Sequence, residues 1–140
     1  MAEHFTLVQT DHHRIWLGDP DLDWPEYTFD HEALEPHPPT GLYLETGTHT
    51  GMVGIQLNVH EAKPELDARR WPAHETVTLH LTSTEFHSIP LAGGGDIAEA
   101  ELPAPGNYHV RAAWSVRPGE NEYVEDGEER YVIDIWPANE

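Results

Sequence analysis

Hydrophobic and polar side chains alternate with a period of two along much of the chain, which predicts β-strands rather than helices. In the first strong segment, Val53, Ile55 and Leu57 alternate with small or polar residues, so one face of the strand is apolar. The strongly alternating segments are 52–60, 75–83, 107–117 and 129–137. One apolar face and one polar face per strand is typical of antiparallel sheets with a solvated side.

Weaker alternation predicts further strands between the strong ones. These weaker strands are 5–9, 12–17, 42–46, 86–90 and 97–102. Turn-forming residues separate the segments, as at Gly93-Gly94-Gly95-Asp96 and at Pro118-Gly119. Many short strands divided by such turns indicate a sandwich or a barrel.

Helical signals are few. Asp30 is placed to cap a short helical turn over 31–34 that Pro36 would end. Residues 61–70 offer a second short helical segment, which Pro64 limits. These signals do not change the strand-based prediction.

We therefore predict one domain over residues 1–140, an all-β antiparallel β-sandwich of about eight or nine strands. The stretch His37-Pro38-Pro39 is interpreted as a stiff connector inside this domain rather than a domain boundary. The predicted core consists of Val53, Ile55, Leu57, Val77, Leu79, Leu81, Val110, Trp114, Ile133 and Ile135.

The charge of the chain narrows the choice of partners. It has 26 Asp and Glu residues against 7 Lys and Arg, a formal net charge of −19 on 140 residues. No Lys or Arg occurs between Arg14 and Lys63. Nucleic acid and anionic membranes recruit Lys and Arg, so both are excluded as expected partners. A basic protein surface or a cation remains attractive.

The absence of Cys excludes disulfides, thiol nucleophiles and zinc–thiolate sites. Residues 1–9 lack the basic segment and the apolar run of a signal peptide. No stretch approaches the roughly 18 consecutive apolar residues of a membrane-spanning helix. We expect a soluble cytoplasmic protein without a cofactor, and the oligomeric state is left open.

Calcium is the first cation to consider. In the segment Asp19-Pro20-Asp21-Leu22-Asp23-Trp24, alternate Asp residues resemble the start of an EF-hand loop. The match fails at Trp24, where the loop needs Gly for its sharp turn, and no flanking helices are evident. A calcium site of another kind is one alternative, and a solvated acidic loop is the other.

Other catalytic and metal signatures are weak. The eleven His residues are dispersed, without a His-x-His or His-Glu-x-x-His motif, so no metal site is predicted. The chain has no Gly-x-Ser-x-Gly motif, and Gly93-Gly94-Gly95 lacks the Lys of a phosphate-binding loop. An enzyme is therefore disfavoured, and no catalytic residue is proposed.

Two acidic blocks, each enclosing an aromatic residue, are the candidate partner-binding sites. The first block consists of Asp19, Asp21, Asp23, Trp24 and Glu26. The second runs from Glu120 to Glu129, and its candidate contact residues are Glu120, Glu122, Tyr123, Glu125 and Asp126. An aromatic anchor inside a charged rim is a composition found in protein interfaces. The alternative is that the aromatic residues close the ends of the sandwich while the acids face water.

Several strand and turn motifs together resemble a known family. They are Asp23-Trp24-Pro25-Glu26, Gly41-Leu42-Tyr43-Leu44-Glu45, Gly51-Met52-Val53-Gly54-Ile55-Gln56-Leu57, Pro105-Gly106-Asn107-Tyr108-His109-Val110-Arg111 and Tyr131-Val132-Ile133-Asp134-Ile135-Trp136. Over residues 5–136 this layout is similar to the competence protein J family, small acidic bacterial inhibitors of a DNA-entry nuclease. The resemblance implies a protein that inhibits a bacterial nuclease by binding it, with Asp23-Trp24 as the shared surface feature.

The leading hypothesis is inhibition of a competence-type nuclease by phosphate mimicry. Nuclease clefts are basic because they hold DNA phosphates, and carboxylates at similar spacing can occupy them. Both acidic blocks would supply charge, and Trp24 and Tyr123 would supply buried anchors. Two alternatives are a Ca²⁺- or ligand-binding β-sandwich module and an immunity or antitoxin protein against a toxin that is not a nuclease.

Overall fold

A computed structural model describes residues 5–10, 14–18, 34–37, 41–46, 51–89, 97–114 and 128–138. Within these ranges it contains ten β-strands and no helix. The strands are β1 (Thr6–Thr10), β2 (Arg14–Gly18), β3 (Leu34–His37), β4 (Gly41–Glu45), β5 (Gly51–Val59), β6 (Ala73–Leu81), β7 (Glu85–Ile89), β8 (Glu99–Glu101), β9 (Gly106–Trp114) and β10 (Arg130–Pro137). All of the predicted strands are present, and β3 is additional.

The strands form two five-stranded sheets. The first sheet has the order β1-β5-β10-β9-β6, and the second has the order β3-β4-β2-β7-β8. Among the described strand pairs, all are antiparallel except β5 with β10. The predicted all-β, antiparallel sandwich is confirmed, with one parallel pair that alternation alone did not indicate.

Strand β3 occupies a stretch that the sequence assigned to a helical turn and a connector. Leu34 begins β3, so the predicted helical turn over 31–34 is wrong at that residue. Asp30 and residues 31–33 lie outside the described part of the chain. Pro36 fits within β3 because β3 is the edge strand of its sheet, where a missing N–H donor is tolerated.

The main core lies between the two sheets and contains most of the predicted residues. The predicted core residues that are buried are Val53, Ile55, Leu79, Leu81, Val110, Ile133 and Ile135. Those that are partly buried and pack against the core are Leu57, Val77 and Trp114. The second sheet contributes Ile15, Leu17, Leu42, Leu44 and Phe86. Each fully buried aliphatic or aromatic side chain contributes roughly 1.5–3 kcal/mol through removal from water.

The connection from β5 to β6 crosses the outer face of the first sheet. Strand β5 is parallel to β10, β10 is antiparallel to β9, and β9 is antiparallel to β6. β5 and β6 therefore point the same way with two strands between them, and parallel strands require a crossover connection. Residues 60–72, called the crossover segment below, provide it.

The crossover segment is not the helix that the sequence offered over 61–70. It consists of bends and a single turn, in which the Trp71 backbone N–H donates to the Asp67 carbonyl at 2.8 Å. The Asp67 side chain accepts from the backbone N–H groups of Arg69 and Arg70. These local hydrogen bonds, together with Pro64, favour a turn over a continued helix.

The crossover segment creates a second, smaller apolar cluster on the outer face of the first sheet. Trp71 packs against Ala113 of β9 and Val132 of β10, and Phe5 and Leu66 lie against them. Trp71 is thus removed from solvent although it belongs to a connection. The outer side of this sheet is therefore packed rather than solvated.

Strand β10 is consequently buried on both of its faces. Tyr131 and Ile133 face the main core, while Val132, Asp134 and Trp136 on the other face are at most 9% exposed. The expectation of one polar, solvated face is wrong for this strand, because the crossover segment covers that side.

Candidate functional site

The ten residues predicted to bind a partner all lie outside the described part of the structure. They are Asp19, Asp21, Asp23, Trp24, Glu26, Glu120, Glu122, Tyr123, Glu125 and Asp126. The calcium-like segment 19–24 lies outside it as well. These assignments stay predictions. The charged groups of the described residues include one region on the outer face of each sheet, and these two regions are candidate sites.

The first region, the buried ion-pair network, consists of Asn58, His60, Arg111 and Asp134. In the strand register, Asp134 stands between Asn58 on β5 and Arg111 on β9. Arg111 Nη2 donates to Asp134 Oδ2 at 3.1 Å, and Asn58 Nδ2 donates to Oδ1 at 3.4 Å. His60 Nε2 lies 2.8 Å from the same Oδ1 and donates to it, because an ionised carboxylate only accepts.

Arg111 places a positive charge in the interior of the molecule. It is 3% exposed, and its guanidinium lies 5.4 Å from the ring centre of Trp136. Its Nη1 donates to the backbone carbonyl of Pro64 at 3.2 Å, which fastens the crossover segment to the sheet. An unpaired buried charge lowers stability by several kcal/mol. Asp134 is the counter-charge that offsets this desolvation cost for Arg111.

The network is better suited to a structural role than to catalysis. A His oriented by a carboxylate is an arrangement that enzymes use for a general base. In this protein the carboxylate is already neutralised by Arg111. Within the described ranges, the hydrogen bonds of His60 go to Asp134 and, from its backbone N–H, to Ile135, so no nucleophile is engaged.

The remaining outer surface of the first sheet carries polar side-chain pairs between β6 and β9. His80 Nδ1 lies 2.8 Å from Asn107 Oδ1, and Thr78 Oγ1 lies 2.8 Å from His109 Nδ1. Beside the network, Lys63, Pro64, Glu65, Leu66, His74 and Arg111 line an open cleft of about 460 Å³. In the part of the chain that the structure describes, no three His, Asp or Glu side chains converge as a metal site requires.

The second region lies on the outward face of β7 and β8 at the edge of the second sheet. We call it the acidic edge face and define it by Glu85, His87, Ile97, Glu99 and Glu101. In the strand register, Glu85 stands opposite Glu101, and His87 stands opposite Glu99. The three Glu side chains are exposed, and Ile97 is 47% exposed.

The strand alternation explains why these side chains point outward. Phe86, Ala98 and Leu102 occupy the intervening positions and are buried in the core. Ser88 extends the pairing of the two strands to Ala98, just before β8. Its backbone N–H donates to the Ala98 carbonyl, and its Oγ accepts from the Ala98 N–H, both at 2.8 Å. An open groove of about 610 Å³ borders the face and is lined by Ser83, Thr84, Glu85, His87, Glu99, Ala100 and Glu101.

Both strands of this face were predicted from the sequence, but its carboxylates were not singled out. Glu99 and Glu101 lie two residues apart in a predicted strand, which placed them on one face. The pairing of β7 with β8, which brings Glu85 next to them, could not be predicted from the alternation. The buried ion-pair network was missed for a related reason, since Arg111 and Asp134 are 23 residues apart and meet only through β9–β10 pairing.

The two packed sheets and the crossover define the chain by its fold, as an all-β, two-sheet protein. Within the described ranges, no helix has the length and apolar character needed to traverse a lipid bilayer. No protein-family model matches the sequence. A search of curated proteins likewise finds no match.

Two solved structures share this fold along the whole chain. One is the crystal structure of ComJ from Bacillus subtilis, an inhibitor of the DNA-degrading activity of NucA. It has a TM-score of 0.66 and 14% identity, covering 99% of this chain and 98% of ComJ. The other is described as crocagin biosynthetic gene J, with a TM-score of 0.60, 17% identity and coverage of 99% and 100%. The resemblance to competence protein J is thereby confirmed at the level of the fold.

Proposed function

We propose that this protein is an inhibitor that binds a DNA-degrading nuclease. The observation that carries the proposal is the match in fold to ComJ over nearly the full length of both chains. The net charge of −19 supports the same function, because a strongly acidic domain is suited to a basic partner and unsuited to nucleic acid.

The proposed mechanism is phosphate mimicry. The cleft of a nuclease is basic because it holds the DNA backbone, and carboxylates of an inhibitor occupy it in place of phosphates. In this proposal the carboxylates come from the two acidic blocks, Asp19, Asp21, Asp23 and Glu26 with Glu120, Glu122, Glu125 and Asp126. Trp24 and Tyr123 act as the apolar anchors at the centre of the contact.

This mechanism makes binding dependent on ionic strength. Opposite fields steer the two proteins together and raise the association rate, and added salt screens those fields within about 8–10 Å. No bond is made or broken by the inhibitor, so the proposed role is non-enzymatic. The fold also occurs in the crocagin protein, so the partner has to be tested directly.

The test measures DNA degradation by purified NucA, and by nuclease fractions from the source cells, with and without the protein. We expect one nuclease to be inhibited at a one-to-one ratio, more weakly at high salt. The variant D21K/D23K/E26K should bind more slowly and lose its salt dependence. Failure of the protein to inhibit any of these nucleases at micromolar concentration would contradict the proposal.

A matched variant distinguishes the effect of the first acidic block on inhibition from the effect of net charge alone. E61K/A62K/E65K/A68K changes four exposed residues of the crossover segment and raises the net charge by the same amount. If both variants weaken inhibition equally, the first acidic block is not the contact surface. A calcium-binding module, the alternative function, would instead show a rise in Tm with millimolar Ca²⁺ and a loss of that rise in Asp21→Asn.

A further inference from the structure

We propose that the acidic edge face, together with its groove, is a docking surface for the basic partner, in addition to the two acidic blocks. This inference rests on the proposed function and deepens it, because it assigns part of the partner contact to residues whose positions the structure describes. Its occupant is a protein surface rich in Lys and Arg.

Like charges are paired across β7 and β8. Glu85 and Glu101 are directly opposite each other on neighbouring strands, which places their Cβ atoms roughly 4.5–5.5 Å apart. Like charges directly opposite each other destabilise a strand pair. Glu99 adds a third carboxylate to the same face. A cationic side chain of a partner, placed between them, removes the repulsion.

An exposed apolar side chain, Ile97, lies beside these carboxylates. Ile97, Glu99 and Glu101 follow each other with a period of two, and Ile97 leaves 47% of its surface in solvent. A large aliphatic side chain beside carboxylates provides an apolar anchor within a charged rim. Leu7, the other large apolar residue with an exposed side chain in the described ranges, lies in β1 of the other sheet.

The acidic edge face borders a groove that can accept a side chain of a partner. The groove of about 610 Å³ is open and is lined mainly by polar and acidic side chains, together with Ala100. Its floor is rigid, because the opposite faces of the same strands carry Phe86 and Leu102, which are fully buried in the core. A preformed, anionic groove accepts a Lys or Arg side chain with little loss of conformational freedom in the inhibitor.

The comparison with the first sheet strengthens the assignment. There the buried charged groups are internally paired, since Asp134 is neutralised by Arg111 and contacted by His60. The carboxylates of the acidic edge face are available to an external cation, whereas Asp134 is not. The acidic edge face therefore offers charge complementarity to a basic partner, and the buried ion-pair network does not.

The test compares two variants of the full chain against the nuclease that the wild-type protein inhibits, with NucA as the first probe. E85K/E99K/E101K reverses the acidic edge face, and E61K/A62K/E65K/A68K changes the net charge equally at exposed sites of the crossover segment. We expect the first variant to associate at least about tenfold more slowly than the second, because it reverses the field at the contact itself.

A second pair of variants tests the apolar anchor without changing charge. Ile97→Ala should weaken inhibition by roughly tenfold or more, whereas Leu7→Ala should leave it within about twofold. The Tm of each variant is measured in parallel. If E85K/E99K/E101K does not fold, E85Q/E99Q/E101Q replaces it, with E61Q/A62K/E65Q, which raises the net charge by the same amount, as its control.

The outcomes separate this inference from the proposed function. If the wild-type protein inhibits no nuclease, the proposed function fails. If the wild-type protein inhibits and the edge-face variants behave like their controls, the function stands and the docking surface is overturned. Selective loss of inhibition in E85K/E99K/E101K and Ile97→Ala supports the docking surface.

Discussion

The outer face of β9 and β10 in the first sheet and the acidic edge face of the second sheet are built from similar alternating strands but lie in opposite environments. On the first sheet, Asp134 and Arg111 are buried beneath the crossover segment and pair with each other. On the edge of the second sheet, Glu85 and Glu101 oppose each other in solvent. The difference follows from topology: β5 and β6 are parallel and need a crossover, whereas β7 and β8 are antiparallel neighbours that need none.

This comparison shows that the same residue type stabilises or destabilises the fold according to what covers it. A buried carboxylate with a good partner holds strands together, and removal of either partner leaves an uncompensated charge. An exposed carboxylate beside another carboxylate lowers stability slightly and remains available to a ligand.

The largest effect is expected for Asp134→Ala, which should lower the free energy of unfolding by about 3–5 kcal/mol. The substitution leaves the Arg111 guanidinium buried without a counter-charge. Urea denaturation measures the loss, and Glu99→Ala is the control, with an expected change within roughly 0.5 kcal/mol. The double variant R111M/D134L should recover much of the loss, since an apolar pair avoids the buried charge. A loss no larger than that of Glu99→Ala would contradict the role given to the network.

Trp71→Ala should cost roughly 3 kcal/mol by removing the largest side chain of the outer cluster. Its specific consequence is release of the crossover segment from Ala113 and Val132. Hydrogen exchange should therefore quicken in residues 60–72 more than in β4 of the second sheet. Ile97→Ala, which truncates an exposed side chain, provides the comparison. Uniform acceleration across both sheets would show that the crossover segment is not an independent cover.

Gly54→Ala is expected to destabilise the fold by about 1–3 kcal/mol through overpacking. A Cβ at this position would lie 3.1 Å from the Phe5 Cβ and 3.2 Å from the Arg130 Cγ. These two side chains close over the glycine, with the guanidinium 5.3 Å from the ring centre. Phe5→Gly in the same chain removes the Phe5 Cβ that the new methyl group would meet, so the double variant should lose less than the sum of the single variants. Additive losses in thermal denaturation would argue against this contact.

The smallest effect is expected for Glu101→Gln, and its sign is opposite to the others. Removing one of two opposed carboxylates should raise the free energy of unfolding by at most about 1 kcal/mol. The gain should shrink as salt rises, because both groups are exposed and screened. Glu61→Gln, an exposed Glu outside this pair, should show less. A loss of stability in Glu101→Gln at low salt would mean that the carboxylates do not repel each other.

Much of the strand content was predictable from the sequence because alternation depends on neighbouring residues alone. Val53, Ile55 and Leu57 predicted the inward face of β5, and the same pattern predicted β6, β9 and β10. Strand β3 was not predictable, since Pro36 argues against a strand unless the strand is known to lie at an edge. The partner-binding blocks 19–26 and 120–126, although evident in the sequence, stay predictions.

The sequence by itself determined the fold class, the inward-facing core residues and the strong negative charge, since each depends on composition or on short-range periodicity. Only the tertiary structure decided the parallel pairing of β5 with β10 and the burial of Asp134 with Arg111. It also decided the placement of Glu85 opposite Glu101 on neighbouring strands. The physical reason is that these contacts join residues far apart in the chain. Which residues pair depends on the spatial order of the strands within each sheet.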